Sequence, residues 1–286
     1  MKSLIKNILS GAVVGCMILM TTACTIRISE DTFIVSDEQP AAYQTDFVDQ
    51  LQQVMPNNTI TPVSIDASEQ VRLKGFYIDN PTSDTTLMFF QGNGMKIEPD
   101  SLSILTSLSA LNTDIFIVDR RGLGASEGQP RIENLIADAQ LQLDYLHLNY
   151  PTNKVIVHGY SLGSFIAAQL VKTNSVDALV LQGSATNVDD WIDEKTPWYL
   201  LFTHIEMPED FRKADNEQVV AQYYQGPLLV IGAENDDQVP AELSEKLFDA
   251  SQSEVKALIM VPNTGHQGML DNAHAMSRYQ AFVNNL

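Results

Sequence analysis

Cysteine is nearly absent: the 286 residues contain two, Cys16 and Cys24, both near the amino terminus. A domain downstream of Cys24 has no thiol pair, so no disulfide supports it and its stability must come from its core. Basic residues are also scarce, 17 Lys and Arg against 36 Asp and Glu, for a formal charge of -19. Nucleic-acid phosphates and anionic lipid head groups select basic surfaces, so no nucleic-acid partner is expected. The chain has no H-E-x-x-H, no Cys or His pair at ligand spacing and no G-x-x-x-x-G-K-[ST], and Gly92 and Gly94 form only a fragment of a dinucleotide loop. No metal and no cofactor are expected on that basis. Repeats, low-complexity runs and Gly/Ser or Pro-rich linkers are missing after Cys24, so residues 24–286 read as one domain with a sizeable core.

A membrane-spanning apolar run is missing too. MKSLIKN carries two lysines, ILSGAVVGCMILM is an apolar stretch of 13 residues, and TTAC supplies small residues before a cysteine. Basic, apolar and small regions in that order make an export signal, and the apolar part is short for a bilayer. The segment resembles a bacterial lipoprotein signal peptide over residues 1–23, which implies lipidation of Cys24. Thr21 stands where that family prefers leucine. Cys16 also follows a small-residue box, Val13-Val14-Gly15, but a cut there exposes Met17 to Met20. Losing Lys2 and Lys6 takes the charge from -19 to -21, so acyl chains rather than charge would hold the protein to a membrane. The resemblance implies a lipid-anchored cell-envelope protein, and Thr25, where lipoproteins kept at the inner membrane often carry Asp, implies the outer membrane.

Residues 25–65 form a lead-in with weaker patterning: Thr25 to Ser29 alternates, Phe33-Ile34-Val35 is a strand candidate, and Phe47, Leu51, Val54 and Met55 recur at helical spacing. From residue 70 the pattern is regular. Strand-like runs fall at 71–78, 86–90, 114–119, 154–159, 178–183, 227–232 and 256–261, most of them without polar alternation. Strands buried on both faces read this way, as in a parallel sheet covered by helices. Ile132, Leu135, Ile136, Ala139, Leu143 and Leu146 share a helical face, and Leu162, Phe165, Ile166 and Leu170 share another. The fold class is α/β: an open, mostly parallel central sheet with helices on both faces, whose ligands bind beyond the carboxyl ends of the strands.

One of those ends carries Gly159-Tyr160-Ser161-Leu162-Gly163. Between a buried strand and an amphipathic helix, G-x-S-x-G describes a sharp turn that lifts the serine hydroxyl above the sheet, with glycines where side chains would collide. The bland alternative is a loop whose serine caps a helix. A serine hydroxyl needs a base in reach and a carboxylate to orient that base. His158 lies inside a strand and reads as a buried structural imidazole. His147 and His274 fall in helical segments and His204 in an insertion. His266 directly follows the run at 256–261, at the same sheet edge as Ser161. The run at 227–232 is followed by Glu234, Asp236 and Asp237, which read either as a solvated turn or as the source of the carboxylate.

With GYSLG, the D-x-x-V-P form at Asp236 to Pro240, Gly265-His266 and DRRGLGASEG at 119–128, residues 60–286 resemble the α/β-hydrolase superfamily. They are similar above all to its esterase, thioesterase and lipase-like members. The resemblance implies Ser161 as nucleophile, His266 as general base and then acid, and Asp236 as orienting carboxylate, with Asp237 as runner-up. It implies oxyanion donors at the backbone N–H of Leu162 and of Asn93, or Gly94, in the loop Gln91-Gly92-Asn93-Gly94, where relatives usually have His-Gly. Residues 185–226 exceed what a minimal fold needs and are expected to form a cap. Within it, WIDEKTPWYLLF either packs on the sheet or lines an acyl pocket through Trp191, Trp198 and Phe202. The expected activity is cleavage of a small-molecule carboxylic ester or thioester through an acyl-serine. Peptidase or amidase chemistry on the same residues and a non-catalytic envelope scaffold are the alternatives.

Overall fold

The computed structural model describes residues 24–150, 152–196 and 203–286. Residues 1–23, expected from the sequence to form a signal segment, and Trp198 and Phe202 lie outside them. The elements in chain order are β1 (Cys24–Arg27), α1 (Glu30–Phe33), α2 (Phe47–Val54), β2 (Thr59–Asp66), β3 (Arg72–Asp79), β4 (Thr85–Phe90), α3 (Leu102–Ser109), β5 (Asp114–Val118), α4 (Ile132–Asn149), β6 (Lys154–Tyr160), α5 (Leu162–Val171) and β7 (Ala178–Gln182). They continue with α6 (Val188–Lys195), β8 (Thr203–Glu206), α7 (Glu209–Lys213), β9 (Leu228–Ala233), α8 (Ala241–Ala250), β10 (Lys256–Val261) and α9 (Ala273–Val283).

Eight strands form the main sheet in the order β10-β9-β7-β6-β4-β5-β3-β2. The pairings among β4, β5, β6, β7, β9 and β10 are parallel, whereas β3 runs antiparallel to both β2 and β5. Every residue of β5, β7 and β9 is buried, which is why these runs carry no polar alternation. Two apolar clusters cover the sheet. One packs α4 and α5 through Ile132, Leu143, Phe165 and Leu170, and the other packs α2, α3 and α9 through Phe47, Leu105 and Tyr279. Burial of each such side chain contributes about 1.5–3 kcal/mol towards the folded state.

The seven expected strands are present with ends shifted by at most a residue or two. The helix at α4 buries Ile132, Leu135, Ala139, Leu143 and Leu146 as its periodicity predicts. The lead-in differs. Residues 59–66, TITPVSID, form β2, an edge strand that tolerates Pro62 because one side of an edge needs no partner. Phe33-Ile34-Val35 is not a strand. Phe33 ends α1, Ile34 donates its N–H to Glu30 O at 2.7 Å, and the Val35 N–H finds its acceptor in a side chain instead of a neighbouring strand. Between β7 and β9 lie α6, β8 and α7, and β8 pairs with β1 in a separate two-stranded sheet. Among the described residues no helix is long and apolar enough to cross a membrane.

Candidate active site

The chain lays β3 and β5 on one side of β4 and β6, β7, β9 and β10 on the other. Loops leaving adjacent strands at such a reversal part and leave a crevice. Phe90 at the end of β4 sits opposite Gly159 in β6, so the loop 91–95 and the serine turn rise side by side.

Ser161 takes φ 53° and ψ -118°, a conformation that costs a non-glycine residue about 1–3 kcal/mol and persists only where the surroundings impose it. The flanking glycines impose it by allowing close contact. A Cβ on Gly159 would lie 2.5 Å from the Cα of Ser164, and one on Gly163 would lie 2.6 Å from the carbonyl carbon of Phe90. The Ser161 N–H donates to Gln182 O at 2.9 Å and its carbonyl accepts from the Ser164 hydroxyl at 2.6 Å, so both backbone ends are held.

His266 follows β10 and is 5% exposed. Its Nδ1 lies 2.7 Å from Asp236 Oδ2. The other carboxylate oxygen of Asp236 accepts the N–H groups of Gln238 at 2.9 Å and Val239 at 2.8 Å, a local turn that aims the acid. With Nδ1–H given to Asp236, Nε2 is left as the acceptor. The loops after β9 and β10 are tied directly, Asn235 N–H donating to Thr264 O at 3.0 Å. Asp237 makes no bond to His266; its backbone carbonyl accepts from Lys195. Glu234 bonds the N–H of Asn263 at 3.3 Å.

Three supports for His266 carry no signal of their own in the sequence. The Tyr160 hydroxyl donates to the His266 carbonyl at 3.0 Å, and its ring stacks on the imidazole at 5.1 Å between centroids. Gly183 adopts φ 53°, and a Cβ there would stand 3.0 Å from His266 Cε1. Ser161 and His266 line one chamber without a hydrogen bond between them in this structure. Such bonds commonly tighten only when substrate is present.

His158 is fully buried, with Nε2 on Gln182 Oε1 at 3.0 Å and Nδ1 on the Tyr279 hydroxyl at 3.2 Å. Burial pushes its pKa down to about 3, so it stays neutral as a structural residue. Among the described residues no group of three or more His, Cys, Asp and Glu side chains gathers as a metal centre would.

The loop after β4 turns back on itself through Met95 N–H donating to Gly92 O at 3.2 Å, with Gly94 at φ 79°. A turn closed this way leaves the N–H of its second residue, Asn93, outside its own bond, and the Leu162 N–H begins α5 where no intrahelical acceptor exists. Neither has an acceptor among the described residues. Gln91 is 2% exposed.

Two chambers meet at Ser161. The larger, about 510 Å³, is bordered by Tyr160, His266, Gln182 and the acids Asp100 and Asp271. The smaller, about 170 Å³, is walled by Phe33, Leu162, Phe165, Val188, Trp191 and Phe211. Trp191, one of the expected pocket residues, borders this chamber and is held by its Nε1–H on Gln238 O at 2.8 Å. Phe33, Phe165 and Phe211 are not legible in the sequence as wall residues, because they come from the lead-in, the helix after Ser161 and α7.

The family described as Serine aminopeptidase, S33 matches residues 101–208. The chain is 28% identical over 192 residues to Protein bem46 of Schizosaccharomyces pombe, covering 66% of this chain and 63% of the relative. It is 26% identical to Lysophosphatidylserine lipase ABHD12 of Danio rerio, covering 60% of this chain and 49% of the relative. The matched regions thus span about half to two thirds of those proteins. The esterase Pf2001 of Pyrococcus furiosus superposes with a TM-score of 0.68 at 18% identity, over 88% of this chain and 99% of the other. The fold is the α/β-hydrolase fold.

Proposed function

We propose that the protein is a serine hydrolase that cleaves carboxylic esters or thioesters through an acyl-serine intermediate. The observation that carries this reading is the 2.7 Å bond from Asp236 to an imidazole that shares a chamber with a strained, elevated serine. His266 Nε2 takes the proton from Ser161 Oγ as that oxygen attacks the carbonyl carbon, and the Asn93 and Leu162 N–H groups receive the charge that moves onto the carbonyl oxygen. The imidazolium, steadied by Asp236, then protonates the departing alcohol or thiol. Water repeats the cycle on the acyl-serine and releases the acid.

The apolar chamber suits the acyl chain and the larger, polar one the leaving group. No cationic side chain borders the larger chamber among the described residues, while Asp100 and Asp271 do. Neutral or cationic leaving groups are therefore favoured over phosphate-bearing ones, in contrast to what the name of the zebrafish relative says of its substrate. The description of the matching family supports a second reading, amide or peptide cleavage by the same residues. On sequence pattern alone we extend the proposal to a lipid anchor at Cys24 and an envelope location, outer membrane by Thr25. A Cys24→Ser protein that still partitions into detergent would refute the anchor.

A fluorophosphonate probe tests the main reading: the mature protein is expected to label and Ser161→Ala to remain unlabelled, and equal labelling sinks it. Comparing nitrophenyl esters with aminoacyl amides separates the two activities, a preference for amides favouring the second.

A further inference from the structure

The lead-in segment crosses the site. Asn93 Oδ1 accepts the Val35 N–H at 2.9 Å, and its Nδ2 donates to Phe33 O at 2.7 Å. One side-chain amide thus bonds two backbone groups of the lead-in as a neighbouring strand would. A side-chain amide presents a donor and an acceptor side by side without needing a particular protonation state. Arg120 adds to the junction by donating from Nη2 to both Val35 O at 2.9 Å and Asn93 Oδ1 at 3.1 Å. Two residues on, Asp37 pairs with Lys96 at 2.7 Å, accepts the Gly124 N–H at 2.9 Å, and donates its own N–H to Gly122 O at 2.8 Å. Ile34, 1% exposed, anchors the segment in the core. Val35 packs over Gly94, and the Phe33 ring meets Phe211 at 5.0 Å and Trp191 at 5.7 Å.

We propose that residues 33–37 act as a strap that grips the Asn93 side chain and thereby holds the Asn93 backbone N–H on the developing oxyanion, while Phe33 closes the acyl chamber. The proposal rests on the serine-hydrolase reading. Asn93 is here a positioning residue through its side chain and an oxyanion donor through its backbone. The strap adds to the loop's own closing bond from Met95 N–H to Gly92 O. Small misplacements of a reacting geometry cost large factors in rate.

Two substitutions isolate the grip. Asn93→Ala keeps the backbone N–H and removes both bonds to the strap. Val35→Pro removes the N–H given to Asn93 while leaving the Asn93 side chain and an apolar side chain over Gly94 in place, and Ile34, with φ -86° and ψ 111°, already has the extended backbone that a following proline requires. Each variant is expected to lower kcat by about 10- to 100-fold with KM within about twofold, and the double variant to be no worse than the worse single. Amide exchange at Met95, whose N–H closes the loop, is expected to accelerate about fivefold or more in both variants whatever the activity. A kcat near wild type in either, effects that multiply in the double, or unchanged Met95 exchange overturns the strap. Failure of wild-type protein to react with the fluorophosphonate instead overturns the hydrolase reading, and Met95 exchange still decides whether the strap holds the loop.

Discussion

Replacing Asp236 by Asn tests the chemistry at its most specific point. The side chain of Asp236 is 1% exposed and bonds His266 Nδ1 through one oxygen while the other accepts two backbone N–H groups. An Asn at 236 keeps the Gln238 and Val239 bonds through its carbonyl oxygen, so the turn survives. Its NH₂ then faces Nδ1, which must become the acceptor, and the ring proton moves to Nε2. An imidazole in that tautomer cannot take the proton of Ser161, and the imidazolium that forms during attack loses its counter-charge. In triads of this kind the change costs about 10⁴-fold in kcat, or roughly 5.4 kcal/mol of barrier. Asp237→Asn, which touches no part of His266, is expected to stay within about twofold. Nitrophenyl acetate turnover with a parallel thermal melt measures both. An Asp236→Asn enzyme that keeps more than about a tenth of wild-type kcat with an unchanged melting temperature would refute the assignment, as would an equal loss in Asp237→Asn.

Gly163→Ala is expected to lose about 3 kcal/mol, since the new methyl meets the immobile backbone of β4 rather than a side chain; an unchanged urea midpoint would disprove the close approach. His158 gives a pH signature. Its pKa falls from 6.5 to about 3 on folding, so above pH 6.5 neither state binds the proton, and between 6.5 and 3 only the unfolded chain does. Stability lost to this residue therefore grows by about 1.4 kcal/mol per pH unit as pH drops through that window. Asp119, raised from 3.8 to about 6 by burial, acts in the opposite sense, because the native state takes up its proton first. His158→Asn protein should thus gain on wild type by about 1.4 kcal/mol per unit below pH 6.5, and parallel denaturation curves at pH 7 and 5 would show the reasoning wrong. For leaving groups, a neutral glyceryl ester should be cleaved about fivefold faster at low salt than a phosphate-bearing ester of the same acyl chain, with Asp100→Asn and Asp271→Asn together closing the gap. Equal rates in wild type would remove the electrostatic argument.

Much of this protein is written in short-range pattern. Strands buried on both faces need unbroken apolar runs, helices need their stripe, and a turn as tight as 159–163 needs its glycines, so the individual strands, α4 and the serine turn are determined by neighbours within a few residues. Those same rules misread residues 33–35, where the Val35 N–H and the Phe33 carbonyl bond a side chain that is 58 and 60 positions away in sequence. Composition leaves three acids open in one turn and resemblance to the D-x-x-V-P form favours Asp236, while the contact itself comes from the approach of the β9 and β10 loops, which brings Asp236 to His266. Likewise the apolar chamber draws Phe33, Phe165, Trp191 and Phe211 from distant segments. The sequence by itself determined which groups stand at the carboxyl edge of the sheet, because secondary structure and turns are local. The tertiary structure alone decided which of them touch, because contact depends on strand order and on loops closing across the whole length of the chain.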